Sequence, residues 1–276
     1  MAEPQRRANQ RSVATIRQES FEIGSATPAL QLVGLQKRFG ANIAVDYLDL
    51  TVPHGAFFGL VGPNGAGKTT TMAMAVGLLR PDGGTARIFG HDLWHEPEVT
   101  MGQIGVLPDD LSVPERLTGR ELLTYTGLLR GMDAATVAQR AAELLSVMDL
   151  LGAERTLVLD YSTGMRKKIG LALALLHDPR LLVLDEPFEA VDPVSASILK
   201  AILKQFVAAG GTVIFSSHVM ALVEQLCDHV AVVAKGRTLA AGSLDQVRGG
   251  RSLEETFVDL VAGRESVGRG LSWLAS

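Results

Sequence analysis

One cysteine, Cys227, stands in 276 residues, so an intrachain disulfide and a cysteine-based metal cluster are both excluded. Its surroundings, ALVEQLCDHV, read as helix, where a lone thiol is a small buried side chain rather than a nucleophile. No apolar run is long enough for a bilayer: LALALL at 171–176 falls far short of the roughly 20 residues that a span demands. The opening stretch MAEPQRRANQRSVATIRQES lacks the apolar region of a signal peptide. The expectation is a chain made and kept in the cytoplasm, reaching a membrane only through another chain. There is no basic excess either. The net charge is −4, which argues against an extended nucleic-acid surface, since such surfaces need a basic stripe.

What is present is an ordinary globular composition, 47% apolar and 20% charged, in a chain long enough for one large core or two small ones. Residues 1–28 read as a tail, with Arg6, Arg7, Arg11 and Arg17 among polar residues and no apolar period. Order is expected from Leu30. LQLVGLQKRFG and AVDYLDLTV read as strands, AFFGLVG as a strand buried on both faces, and LLVLD (181–185) and TVIFSSH (212–218) as two more. Helical stretches between them predict an α/β core with a mainly parallel sheet. Residues 112–165 differ. Thr118 with Glu121 forms a capping box, Asp133 is a second N-cap, and Val137, Ala141, Leu144 and Met148 share one helical face, so a helical subdomain is inserted there. VAVVAKGRTLAAG predicts a hairpin turning at Lys235-Gly236, with helix beyond it.

GPNGAGKTT (62–70) fits the phosphate-loop pattern, with a buried strand before it and a helix after it. Gly62, Gly65 and Gly67, with Asn64 and Ala66 between them, let backbone N–H groups converge on a phosphate chain. The following helix adds its free N–H groups and its positive end. Lys68 can reach the β- and γ-phosphates, and the hydroxyl of Thr69 can ligate Mg²⁺. LLVLDEP then supplies Asp185 for the metal and an adjacent Glu186 to deprotonate a water. YSTGM places Ser162 and Gly164 ahead of a helix, a second phosphate-binding surface in one chain. HDLWH holds His91 and His95 four apart, a candidate metal pair on a helix that lacks a third ligand; Trp94 between them reads as a surface or subdomain contact.

From about Leu30 to about Gly263 the chain resembles the nucleotide-binding subunits of ATP-binding cassette (ABC) transporters. The motifs stand in family order: KRFG, GPNGAGKTT, LPDD, YSTGM, LLVLDEP, EAVDP and FSSH. The resemblance implies a phosphate-loop NTPase fold with an N-terminal antiparallel β subdomain, an ABC ATPase domain over 29–263 and an extension over 264–276. It implies head-to-tail pairing with a second nucleotide-binding subunit, a homodimer partner, so that ATP lies between the two. In that scheme Phe39, which by itself reads as strand core, stacks on adenine. Lys68, Thr69 and Thr70 hold phosphates and Mg²⁺, Asp185 steadies the metal, and Glu186 is the general base. His218 contacts the γ-phosphate, Ser162 and Gly164 reach the opposite ATP, and Asp192 connects the two sites. Asp109 stands where the family usually has glutamine and retains an oxygen that draws Mg²⁺. Tyr161, Thr163 and Met165 also depart from the usual signature. YSTGM and SLEETFVDLVAG are similar to exporters of the ABC-2 type. The implied partner is a transmembrane permease on a separate chain, which places this one on the cytoplasmic face of the membrane. A soluble relative acting on nucleic acid or ribosomes is the rival; the single cassette and the absence of sustained heptads between Lys68 and Ser162 speak against it.

Overall fold

The computed structural model describes residues 27–262. The expected tail over 1–28 and the extension over 264–276 therefore fall almost wholly outside the described residues. Among the described residues, ten strands form two sheets. Strands β1 (Leu30–Phe39), β2 (Asn42–Val52), β4 (Gly83–Ile88) and β5 (His91–Asp92) make an antiparallel sheet in the order β2-β1-β4-β5. The larger sheet contains β3 (Phe57–Val61), β6 (Ile104–Leu107), β7 (Leu181–Leu184), β8 (Thr212–Ser217), β9 (His229–Ala234) and β10 (Arg237–Ser243), in the order β10-β9-β3-β8-β7-β6. All its pairs are parallel except β9 with β10.

The large sheet is buried on both faces, which is why its strands read as continuous apolar runs. Side chains alternate between two cores. Phe57, Val61, Leu182, Leu184, Val213, Phe215 and Val230 face one core, shared with the helices. Phe58, Leu60, Leu181, Val183, Ile214 and Ala231 face the other, shared with the antiparallel sheet. Gly59 interrupts β3 because a helix passes close by: a Cβ there would lie 2.6 Å from Val223 Cγ1 and 3.1 Å from Cys227 Sγ. Cys227 is buried accordingly, just past the helix Met220–Leu226, and burial pushes its thiol well above the usual range.

The helices are α1 (Lys68–Ala75), α2 (Pro97–Met101), α3 (Gly119–Leu129), α4 (Ala134–Val147), α5 (Thr163–Leu175), α6 (Pro193–Ala208), α7 (Met220–Leu226), α8 (Leu244–Arg248) and α9 (Leu253–Ala262). α3 and α4 follow each other between β6 and α5. Thr118 and Glu121 close the capping box at α3, and Asp133 caps α4 through the N–H of Thr136. The inward face of α4 is Val137, Ala141 and Leu145, with Leu144 only half-buried. The β9–β10 hairpin turns at Lys235 (φ 50) and Gly236 (φ 73); two positive φ values in succession suit the right-handed strand twist.

The histidine pair is not on a helix. Pro97 fixes the start of α2, because proline is favoured at the first helical position. His91 is left in β5 and His95 in the turn. Each has its own carboxylate: His91 Nδ1 lies 2.9 Å from Glu96 and His95 Nδ1 2.8 Å from Asp92. Trp94 is half-buried, with the Arg80 guanidinium over its ring.

Candidate functional site

β3 delivers the glycine loop at its C-terminal end, and α1 leaves it. Two glycines are required by space. A Cβ on Gly62 would lie 2.3 Å from the carbonyl oxygen of Val233, and one on Gly67 (φ 99) 2.4 Å from that of Ala44. Gly65 stands in open space with φ 77. Ala66 anchors the loop by accepting from the N–H of Gly236 at 2.9 Å. α1 has no side-chain cap and no acid in its first turn, so its N–H groups and positive dipole end face outward, suited to an anion. Lys68 is buried. Its Nζ donates to the carbonyls of Gly62 (2.8 Å) and Pro63 (3.3 Å) and lies 3.9 Å from Glu186 Oε1. Asn64 and Thr69 are exposed and Thr70 is half-buried.

β7 ends in Leu184, and the next two residues carry the carboxylates. Asp185 is buried and its N–H donates to Leu107 O at 2.8 Å. Its Oδ1 accepts from the hydroxyl of Ser216 at 2.5 Å. The same Ser216 oxygen accepts from the N–H of Glu186 at 2.8 Å. Glu186 has φ 44, an uncommon conformation for a non-glycine residue, and such strain gathers at functional sites. Its Oε1 lies 3.2 Å from His218 Nδ1. The structure thus brings Lys68, Asp185, Glu186 and His218 together. Ser216 belongs with them and was missed in the sequence, although a hydroxyl within a buried strand, two residues before His218, is a visible signal.

Ser162 caps α5 by accepting from the N–H of Met165 at 3.3 Å. Gly164 is buried against the loop that follows Glu186: a Cβ on it would lie 2.8 Å from Asp192 Oδ2 and 2.9 Å from Ser195 Oγ. Hydrogen bonds from Ser195, then from the N–H of Val194, hold the Asp192 carboxyl below the usual carboxylate range. Ser162, Gly164 and Asp192 form a second group. One departure in the signature has its space provided: Tyr161 is buried, and its hydroxyl fits because residue 119 is glycine, where a Cβ would come within 2.5 Å of it. Phe39 ends β1 with half its surface exposed, so it is not strand core. The Asp109 carboxylate meets Lys167, with Oδ1 3.3 Å from its Nζ.

A phosphate loop, paired carboxylates and a histidine on neighbouring parallel strands make a site for a nucleoside triphosphate and an attacking water. The ABC transporter family profile matches residues 45–189. The chain belongs to the ABC transporter family. As an ABC ATP-binding subunit it is an ATPase. It is 42% identical over 222 residues to the daunorubicin/doxorubicin resistance ATP-binding protein DrrA of Streptomyces peucetius, covering 80% of this chain and 67% of that one. It is 37% identical over 216 residues to the Nod factor export ATP-binding protein I of Cupriavidus metallidurans, covering 78% and 71%. Among solved structures, the ATP-binding subunit of an ABC transporter superposes with a TM-score of 0.78 at 30% identity, over 84% of this chain and 99% of that one.

Proposed function

We propose that this ABC subunit hydrolyses ATP to power an exporter, that two copies enclose ATP between them, and that they drive a membrane-spanning permease on a separate chain from the cytoplasmic face. The observation that carries the reading is the placement of Glu186. Its carboxylate oxygen is 3.2 Å from the His218 ring and 3.9 Å from the Lys68 ammonium, so a base, a proton-sharing ring and a phosphate-binding cation meet at one point.

The loop N–H groups at 62–70 and Lys68 bind the phosphates. Glu186 takes the proton of the attacking water, and His218 orients Glu186 and the water. Phe39, flat and exposed at the end of β1, stacks on adenine. Mg²⁺ suits the donor set, since Thr69 and Asp185 offer hard oxygens. Thr69 and Asp185 would hold the ion beside the bound phosphates. When bound, the ion neutralises charge on the transferring phosphoryl group. Ser162 and Gly164 serve the ATP of the opposite copy, and Asp192 links the two sites. The ATPase domain spans 29–263 with its helical subdomain over 112–165. The exporter reading is supported by relatives named for drug resistance and Nod factor export.

The test is Mg²⁺-dependent ATP hydrolysis by the purified chain and by Lys68→Ala, together with identification of what co-purifies from membranes. Loss of nucleotide binding or turnover in the variant, and recovery of a membrane-spanning chain, are expected. Unchanged hydrolysis in Lys68→Ala overturns the site assignment, and absence of any membrane-spanning companion overturns the exporter reading.

A further inference from the structure

Three consecutive cations follow the signature on α5, and each goes to a different place. Arg166 binds the carboxylate of Glu115 and donates to Val158 O at 3.1 Å. Lys167 donates to both the backbone oxygen and Oδ1 of Asp109, at 3.3 Å each. Lys168 donates to Asp149 O at 3.3 Å. The Lys167 side chain is 10% exposed, and a buried ammonium persists only where acceptors meet it. Both of the oxygens that Lys167 finds belong to Asp109.

Asp109 and Glu115 lie on one loop, between β6 and α3. That loop is fastened at two points to the helix that Ser162 caps. Its other end is fastened as well: Leu107, the last residue of β6, accepts the N–H of Asp185 at 2.8 Å. A short run of chain therefore joins the strand end that carries Asp185 and Glu186 to the helix that presents Ser162. The carboxylate of Asp109 is half-exposed on one side and committed to Lys167 on the other.

We propose that Asp109, through its ion pair with Lys167, is a positioning residue that fixes the Ser162 helix relative to Asp185 and Glu186, and is not a ligand of the metal ion. A metal ligand and a tether respond differently to two measurements. Removing a ligand weakens Mg²⁺ dependence, whatever Lys167 does. Removing a tether leaves Mg²⁺ dependence alone and makes the loss at Asp109 and the loss at Lys167 the same event.

The experiment uses the full chain with Asp109→Ala, Lys167→Met and the double variant. Steady-state hydrolysis is measured against ATP and, at saturating ATP, against MgCl₂. Each single variant is expected to lower kcat/KM for ATP by about threefold to tenfold, and the double variant to lose no more than the worse single, as coupled contacts do. The MgCl₂ concentration for half-maximal rate should stay within about twofold of the parent in Asp109→Ala, far from the roughly tenfold or greater shift of a lost metal-site partner. A several-fold shift in that concentration, multiplying losses in the double variant, or unchanged kcat/KM in Asp109→Ala would each overturn the proposal. Asp109 lies on a half-exposed loop, so the MgCl₂ titration of its variant decides the matter even where Lys167→Met does not fold. A parent chain without Mg²⁺-dependent hydrolysis would instead refute the proposed site chemistry, a separate outcome.

Discussion

The hydroxyl of Ser216 donates to Asp185 Oδ1 at 2.5 Å while accepting the N–H of Glu186 at 2.8 Å. One buried side chain therefore sets both the direction of the first carboxylate and the backbone of the second. Ser216→Ala leaves a buried carboxylate oxygen and a backbone N–H without this partner, which costs about 1–3 kcal/mol. The rate should fall further than stability suggests, by about tenfold to a hundredfold, because the reacting groups lose alignment. Thermal unfolding and steady-state hydrolysis of Ser216→Ala check both. A variant as active as the parent would show that the hydroxyl does not position the carboxylates.

Gly67 meets two constraints at once, φ 99 and a carbonyl where its Cβ would be. The obstacle is backbone of Ala44, held in place beside the β9–β10 turn by the bond from Asp46 N–H to Gly236 O at 2.9 Å. Gly67→Ala should cost about 1–3 kcal/mol of strain, and nucleotide binding should weaken more than at Gly65→Ala, where nothing lies within 4 Å. Titration of a fluorescent ATP analogue into both variants ranks them; equal affinities would refute the steric argument.

How far these groups could be read from the chain alone follows from the range of the forces that place them. The phosphate loop was legible because its strand, glycines and helix are contiguous. The same holds for the cap of Thr118 with Glu121 and for the turn at Lys235-Gly236, where local backbone preference decides. Ser216 lies 30 residues from the Glu186 whose N–H it accepts, so only the adjacency of β7 and β8 joins them. Lys167 and Asp109 are likewise brought together by packing, 58 residues apart. His91 and His95 failed in the opposite sense. Their spacing suits one helix face, but Pro97 starts the helix after them.

His177 gives the fold a dependence on acid. Burial, and then the nearby charges of Arg130 and Arg140, hold its pKa below the ordinary value of 6.5. Its Nε2 lies 3.0 Å from Ile104 O, and its Nδ1 is buried without a hydrogen-bond partner. The neutral ring is therefore the folded form. A histidine with a lowered folded pKa adds nothing adverse above 6.5 and destabilises as pH falls below it, because the unfolded chain binds the proton first. His177→Gln retains a side-chain N–H for the carbonyl and cannot titrate. Its melting temperature should fall less than the parent's between about pH 8 and about pH 5. Parallel curves would remove His177 as a source of acid sensitivity.

Glu186→Gln separates binding from chemistry. The amide is nearly the same size as the carboxylate and can still approach His218, whose Nδ1 lies 3.2 Å from Oε1 in the parent. It cannot accept the proton of the attacking water. The ATP-binding elements, Lys68 and the loop over 62–70, are untouched. Hydrolysis should fall by roughly 10²–10⁴-fold while ATP affinity is kept. If two copies enclose ATP, the closed pair should accumulate, because its opening depends on turnover. Light scattering on a sizing column with ATP and Mg²⁺ should show the variant as a dimer and the parent, after turnover, chiefly as a monomer. Turnover at the parental rate would remove Glu186 as the base. A variant that binds ATP, does not hydrolyse it and yet stays monomeric would leave the base in place and overturn the proposed enclosure of ATP between two copies.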